Sequence, residues 1–355
     1  MPTRSTVSDM KPSADEIKFF IKEKFPGFEP SSEPVELSGG NLNYVWRVPG
    51  NPYNVIVKHA PPFIASNPEE SLNPDRLWFE ALALRLFIEN GRLSYLSNKD
   101  ISAPHFYGYD SEKNMLLMED IGSESTLFSD YMFRDYDDFM PAILGKFIAN
   151  LHRQTAGKSF FKDSFQNINI QKTRLQVQYR GAGRFLENAG IEPDPVAVKN
   201  AERLGEKLLS PGKCLVMGDL WPSSILIDGH KMRLIDWEFC HYGRPFQDIA
   251  HFVAHCKLHT EASDHKKWSG QIQQFQNHFL NSYKSTLGSF YEELFDDIEL
   301  RGFNIHYAME ILIRTVGVFK QGYLFEKYPP GHLRIQRLVQ EAHHHLKYPG
   351  SEQIF

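Results

Sequence analysis

The sequence predicts an α+β protein in two lobes, a small one built on antiparallel strands and a larger, mainly helical one. Three observations lead there. Short alternating segments punctuated by Gly, Pro and Asn fill the first 120 residues, and from Phe139 onward apolar residues recur at helical spacing. The length of 355 residues also exceeds the roughly 250–300 at which a single core stops growing. The domains expected are therefore 1–120 and 121–355.

After a start containing Ser, Thr and Pro, Asp15 to Lys24 carries the apolar stripe of a short amphipathic helix. Val35–Leu37, Tyr44–Val48 and Asn54–Lys58 alternate as strands, parted by Ser38-Gly39-Gly40-Asn41 and Pro49-Gly50-Asn51-Pro52, which together read as an antiparallel meander. A helix is expected to begin near Asn73-Pro74 and to run through Leu77, Glu80, Ala81, Leu84 and Phe87. Strands at His105–Tyr109 and Met115–Met118 complete the small lobe, and the segment 118–124 joins it to the next. In the larger lobe Ile143, Phe147, Ile148 and Leu151 share a helix face, and 269–287, 304–323 and 332–346 read the same way. No internal repeat or low-complexity tract occurs.

Composition narrows the function. A net charge of -5 with 23% charged residues lacks the basic surplus of a nucleic-acid binder. The three cysteines show no paired short spacing, which argues against a disulfide framework or zinc site and fits a reducing compartment. No run approaches the roughly 20 apolar residues that span a bilayer, so the reading is a soluble, cytoplasmic protein without membrane or nucleic-acid partners. Oligomeric state is not legible, and a homodimer is compatible with the sequence.

The chemistry concentrates between Leu215 and Asp248. Ile225-Leu226-Ile227 and Leu234-Ile235, broken at Asp228-Gly229, read as a β-hairpin, with Asp219 ahead of its first strand and Asp236 and Glu238 at the end of its second. A hairpin brings its open ends together, and carboxylates crowded there call for a cation such as Mg²⁺ on a nucleotide. Asp219 is the candidate base that orients an acceptor hydroxyl and takes its proton. Asp236 and Glu238, two apart on a strand, would point the same way and grip the metal. Trp221 offers an apolar wall for an acceptor, and Ser224 an oxygen near the metal. Gly39, Gly40, Asn41 and Asn43 lie in a loop between strands whose backbone amides suit phosphate oxygens. His343-His344-His345 reads as a solvated helix end, and Asp248 as an anchor for the loop after the hairpin.

These pieces resemble, in order, the aminoglycoside phosphotransferase and choline kinase superfamily, which has a protein-kinase-like fold. The resemblance rests on GGNLNYVWRV (39–48), VIVKHAPPFI (55–64), DRLWFEALAL (75–84), LLMEDIG (116–122), GDLWPSSILID and LIDWEF. It covers about residues 35–250. It implies ATP and Mg²⁺ as cofactors, Lys58 on the nucleotide phosphates with Glu80 orienting it, and Met118, Glu119 and Ile121 as the segment that hydrogen-bonds adenine. Asp219 would be the catalytic residue, and Asp236, Glu238 and Ser224 the metal group. The 5-methylthioribose kinases share the serine matching Ser224 and the Asp-X-Glu matching Asp236-Trp237-Glu238, while fungal 4-hydroxytryptamine kinases share the Asp-Leu-Trp and Asp-Trp-Glu spellings. Two departures stand out. Met217 replaces the usual histidine two residues before the catalytic aspartate, and ILIRTVG (311–317) keeps Arg314 but has Ile313 where methylthioribose kinases have a second acceptor-binding arginine. The function expected is an ATP-dependent kinase of a small-molecule hydroxyl, methylthioribose-like or hydroxyindole-like. The alternatives are an aminoglycoside- or choline-type phosphotransferase and a pseudokinase that binds nucleotide or metabolite as a sensor.

Overall fold

The computed structural model describes residues 11–38, 42–122, 124–131 and 139–351. Its chain divides into two units, Met1–Ser125 with Leu226–Phe239, and Thr126–Ile225 with Cys240–Phe355.

In the first unit, helix Ala14–Lys24 starts from a capping box in which Ser13 Oγ accepts the Glu16 N–H and the Glu16 carboxylate accepts the Ser13 N–H. The main sheet has five strands. Tyr44–Val48 pairs antiparallel with Val55–His59, which pairs with Met115–Glu119, and Val35–Glu36 and Phe106–Asp110 form the edges. Alternation sorts the faces. Val55, Val57, Met115 and Leu117 close on Ile17, Phe20 and Ile21 of the first helix to make a core, which leaves Ile56 and Lys58 to the opposite face.

Helix Arg76–Phe87 packs in this unit, with Phe87 against Trp237 at a ring separation of 5.0 Å. It starts two residues later than the proline suggests. Asn73 Oδ1 takes the Asp75 N–H at 2.8 Å and Leu77 N–H goes to Pro74 O, so Asn73–Asp75 forms a turn ahead of the helix. A small hairpin, Phe63–Ile64 with Asn67–Ser71, has no counterpart in the sequence reading, because its second strand, Asn-Pro-Glu-Glu-Ser, is exposed throughout and lacks alternation.

The strands Ile225–Asp228 and Lys231–Leu234 flank a turn at Gly229, which has φ +61°. Lys231–Leu234 also pairs in parallel with Ile101–Ser102, Met232 opposite Ile101. That pairing places 226–239 with the first unit although the sequence reading put it in 121–355. The strand ends at Leu234, one residue short of the expected Ile235. Asp236 then takes a left-handed φ of +62°, and Trp237–Phe239 is a single 3-10 turn. Asp236 and Glu238 are thus not strand neighbours of common direction. The Trp237 indole, donating to Leu234 O at 2.8 Å, closes the turn that separates them.

The second unit is helical. Phe139–Thr155 packs on Lys266–Leu287, and Phe246–Ala262 packs on both Lys266–Leu287 and Asp297–Thr315, with the Phe252 and Phe279 rings tilted against each other at 4.7 Å. The expected helix 304–323 is shifted. Asp296 caps its N-terminus by accepting the Ile298 and Glu299 N–H groups, and at the other end the Gly317 N–H turns back to Leu312 O, so it spans Asp297–Thr315. Leu333–Lys347 is the last helix, and of its three histidines His345 turns inward, edge-on to Tyr307 at 5.8 Å. Two short strands, Cys214–Val216 and His241–Gly243, pair antiparallel, and Cys214, Cys240 and Cys256 are buried free thiols. Among the described residues no helix is long and apolar enough to cross a membrane.

Candidate active site

Buried charge occurs in both units. In the first, Lys58 leaves its strand on the face away from the core and lies 2.7 Å from Glu80 Oε1 and 2.5 Å from Asp236 Oδ1. Lys58 and Glu80 are both buried, while the Asp236 side chain is 41% exposed and its Oδ2 has no protein partner among the described residues. Burial works against the ammonium, yet Asp236 and Glu80 beside it hold its pKa above the ordinary lysine value. Burial pushes the Glu80 carboxyl up to about 7 against the pull of Lys58. The lysine is therefore a fixed positive charge with one exposed carboxylate at its tip. Asp236 reaches that tip through its left-handed backbone, a conformation that aspartate tolerates better than most side chains.

Glu238 belongs to a second network. It is buried, accepts from Asn43 Nδ2 at 2.9 Å and lies 3.3 Å from Arg76 Nε. Arg76 also donates to Asn43 Oδ1, Asn73 O and Leu42 O. These bonds tie the chain just after the glycine loop to the end of the hairpin. Farther along, Asp120 accepts a two-point contact from Arg47, at 2.6 and 2.9 Å, and the Gly122 N–H. Glu119 pairs with Arg233 and accepts the His105 N–H, and its own N–H goes to His105 O. With its neighbours pinned, Ile121 has backbone N–H and C=O groups without protein partners among the described residues.

In the second unit the loop after strand Cys214–Val216 presents Asp219. Gly218, with φ +83°, makes the turn a side chain would strain. Fully buried Asp248 holds that loop, accepting the Met217 N–H at 2.9 Å, the Gly218 N–H at 2.7 Å and His152 Nε2 at 3.0 Å. Asp248 thus anchors the loop before the hairpin, whereas the sequence reading assigned it to the loop after. Met217 meets Asp248 through its N–H, a contact any residue but proline supplies, and buries its side chain in the core. Asp248→Asn replaces an acceptor oxygen with a donor facing donors. It is expected to destabilise this unit by about 2–4 kcal/mol, seen as a lower urea midpoint with an unchanged slope.

Asp219 itself is partly exposed. Arg174 Nη2 stands 3.2 Å from its Oδ1, and Arg174 Nη1 donates to Gly218 O at 2.6 Å. The Ser224 hydroxyl donates to Trp221 O and accepts the Trp221 N–H, at 2.8 and 3.1 Å, and the serine is buried. It braces the loop after Asp219. Arg314 lies over the Trp221 ring at 4.5 Å and near Tyr323 and Phe319 at 5.2 and 5.3 Å, so the two residues singled out as an acceptor surface meet. Ile313, in contrast, is buried core.

Comparison with known proteins identifies the family. The family model of the phosphotransferase enzyme family matches residues 34–276. The chain belongs to that family. It is 29% identical over 277 residues to the 4-hydroxytryptamine kinase of Psilocybe cyanescens, covering 71% of this chain and 74% of the relative. It is 23% identical over 270 residues to methylthioribose kinase of Bacillus cereus, covering 70% and 67%. Among solved structures, choline kinase from Cryptosporidium parvum Iowa II shares the fold with a TM-score of 0.52 at 13% identity, over 96% of this chain and 98% of that one. The phosphotransferase therefore has the protein-kinase-like fold expected of it.

Within the phosphotransferase, Lys58, Glu80 and Asp236 come together in one unit and Asp219, Trp221 and Arg314 lie in the other. Asn43 and Glu238 meet each other rather than standing open. Gly39, Gly40 and Asn41 lie outside the described residues. Sequence reasoning missed Arg76, Arg174, His152, His251 and Glu310. A signal existed for the last two: polar residues recur every three or four positions in otherwise apolar segments, as in DIAHFVAH (248–255) and HYAMEILIR (306–314).

Proposed function

We propose that this phosphotransferase moves the γ-phosphoryl group of Mg²⁺-bound ATP to a hydroxyl group of a small, aromatic alcohol. The observation that carries the reading is Lys58 bridging Glu80 and Asp236, at 2.7 and 2.5 Å. A buried ammonium fixed by one carboxylate and aimed at a second, exposed one is the arrangement that phosphate and its cation need.

Asp236 fits a magnesium ligand because its Oδ2 is open and its side chain reaches solvent. Mg²⁺ there would neutralise the charge that develops on the transferring phosphoryl group. Glu238 and Ser224 enter as supporting groups, Glu238 through Arg76 and Asn43 and Ser224 through the Trp221 backbone. Lys58 would contact the nucleotide phosphates, and the backbone amides of Gly39, Gly40 and Asn41, a reading made from the sequence, would serve the same phosphates. The open N–H of Ile121, set between the pinned Asp120 and Gly122, suits an adenine ring nitrogen, with Met118 and Glu119 in the same segment. Asp219 would orient the acceptor hydroxyl and accept its proton while the oxygen attacks phosphorus in line. Lys58→Met is expected to lower kcat/KM for ATP about 100-fold, the worth of a buried charge-assisted contact, in a coupled ADP assay.

For the acceptor, the rings of Trp221, Tyr323 and Phe319 around one guanidinium favour a flat aromatic alcohol over a polyhydroxyl sugar, which asks for several fixed donors. The deciding experiment supplies Mg²⁺-ATP with 4-hydroxytryptamine, methylthioribose, choline and an aminoglycoside in parallel and follows phosphorylated product. Turnover of the hydroxyindole above the others supports the reading. Preference for methylthioribose removes the acceptor assignment, and nucleotide binding without transfer to any acceptor removes the kinase reading in favour of a sensor.

A further inference from the structure

Asp219 is held by one oxygen. Arg174 Nη2 at 3.2 Å and His251 Nε2 at 3.4 Å both approach Oδ1, and Oδ2 has no protein partner among the described residues. We infer that His251 is a positioning residue for Asp219, fixing Oδ1 so that Oδ2 is left for the acceptor hydroxyl, with Glu310 setting the imidazole from behind. The inference rests on the reading of Asp219 as the base.

The imidazole has carboxylates at both ends. Its Nδ1 lies 3.1 Å from Glu310 Oε1, and that oxygen also accepts from Gln178 Nε2 at 2.6 Å, so Glu310 is itself restrained. Glu310 Oε2 lies 3.8 Å from both Arg314 Nε and His255 Nε2. Two further histidine rings lie near that of His251, His255 on its own helix at 5.0 Å and His306 on the facing helix at 5.6 Å, the latter bonded to Tyr179 Oη. His251 is 1% exposed and neither of its nitrogens closes an aligned hydrogen bond. Such contacts at a base tighten when substrate enters. Burial works to raise the Glu310 carboxyl, but His251, then His255 and Arg314, hold it well below the usual range, so this is a standing carboxylate behind the ring.

Helix periodicity explains the assembly. Asp248, His251 and His255 fall at i, i+3 and i+7, one face of Phe246–Ala262, so the residue that anchors the loop backbone and the one that meets Asp219 stand in line. Ligand-type atoms of His251, His255 and Glu310 lie within 4.8 Å of one another, near enough to close on a divalent ion. Arg314 and Arg174 already supply two positive charges beside these carboxylates, which opposes adding two more.

Three replacements read the two nitrogens apart. A glutamine amide nitrogen reaches the place of Nε2 and an asparagine nitrogen only that of Nδ1. In the full chain, His251→Gln is expected to keep kcat within about threefold, while His251→Asn and His251→Ala lower it about ten- to a hundredfold with KM for ATP unchanged. Thermal midpoints are taken on the same samples, and rates are compared below all of them. Glu310→Gln, which leaves His251 in place, is expected to lower kcat about tenfold in the natural chain and not at all beside His251→Ala. Equal rates for His251→Gln and His251→Asn, or additive losses with Glu310→Gln, would overturn the inference. So would stoichiometric zinc whose removal by chelation reproduces the loss. Asp219→Asn, measured alongside, keeps the two readings apart: its inactivity with indifferent His251 variants leaves the base and removes only the positioning role, whereas its turnover removes the base itself.

Discussion

Asp219→Asn is expected to lower kcat by about three orders of magnitude while nucleotide affinity and thermal stability stay near those of the natural chain. The substitution is nearly isosteric. Arg174 Nη2 donates to Oδ1 and His251 Nε2 approaches it, and an amide oxygen at that position still accepts from Arg174 and faces His251, so the loop keeps its support. Asp248, which holds the Met217 and Gly218 N–H groups, is untouched. What changes is the second atom of the side chain, from an open carboxylate oxygen to an NH₂ group that donates and cannot take a proton. Lys58, Glu80 and Asp236 lie in the other unit and hold their own geometry, so ATP titration by fluorescence or calorimetry should give a similar Kd. A variant that turns over within tenfold of the natural rate would remove Asp219 from the chemistry, and one that loses ATP binding as well would show that the loop, not the proton, had been lost.

The parts legible in the sequence are those whose signal is local. Strand Tyr44–Val48 and most of Val55–His59 and Met115–Glu119 alternate or run apolar between turn residues, and Lys58 stands at the same strand end in both readings. Helix Phe139–Thr155 buries Phe147, Ile148 and Leu151, three of the four residues its periodicity marks. Geometry set by remote pairing was not legible. The hairpin 226–239 joins the first unit because Met232 pairs with Ile101, some 130 positions earlier, and no local pattern records that. Asp236 and Glu238 read as strand neighbours because they alternate with Ile235 and Trp237, yet Trp237 is wholly buried under Phe87 and turns the chain between them. Asn43 looked like a phosphate contact from its loop, while the arginine that claims it, Arg76, lies 33 residues on. The cluster behind Asp219 shows a third kind of limit. His251 and Glu310 each announce themselves as polar residues inside apolar helices, but only packing of Phe246–Ala262 on Asp297–Thr315 gives them one another.

Acidification is expected to separate the two units. Burial holds the pKa of His255 and of His306 well below 6.5 and brings His259 down to about 4, so all three are neutral in the folded second unit. Released by unfolding, each takes a proton near 6.5. Below that pH the unfolded state therefore binds more protons than the folded one, and stability falls as pH drops toward the depressed values, by up to about 1.4 kcal/mol per pH unit for each group. Glu310 adds to the loss lower down, since a depressed carboxylate stabilises above the ordinary 4.5 and ceases to as pH falls through its folded value. Glu299, raised by burial despite Arg244, opposes it in part. In the first unit the sign reverses. Glu80, pushed by burial up to about 7, takes up its proton in the folded state between about 7 and 4.5 while an unfolded glutamate does not, so acid adds to stability there, and Glu238 is shifted in the same direction by burial. Between pH 7.5 and 5.5 the second unit should lose about 2–4 kcal/mol and the first should not. Hydrogen exchange corrected for intrinsic rate reads this directly: amides of Phe246–Ala262 and Asp297–Thr315 should lose protection while those of Val55–His59 and Met115–Glu119 keep it. His259→Gln should recover about one group's share of the loss. Equal loss of protection in both sets of amides would show that the buried histidines do not govern the acid response, and loss confined to the strands would reverse the assignment of charge between the two clusters.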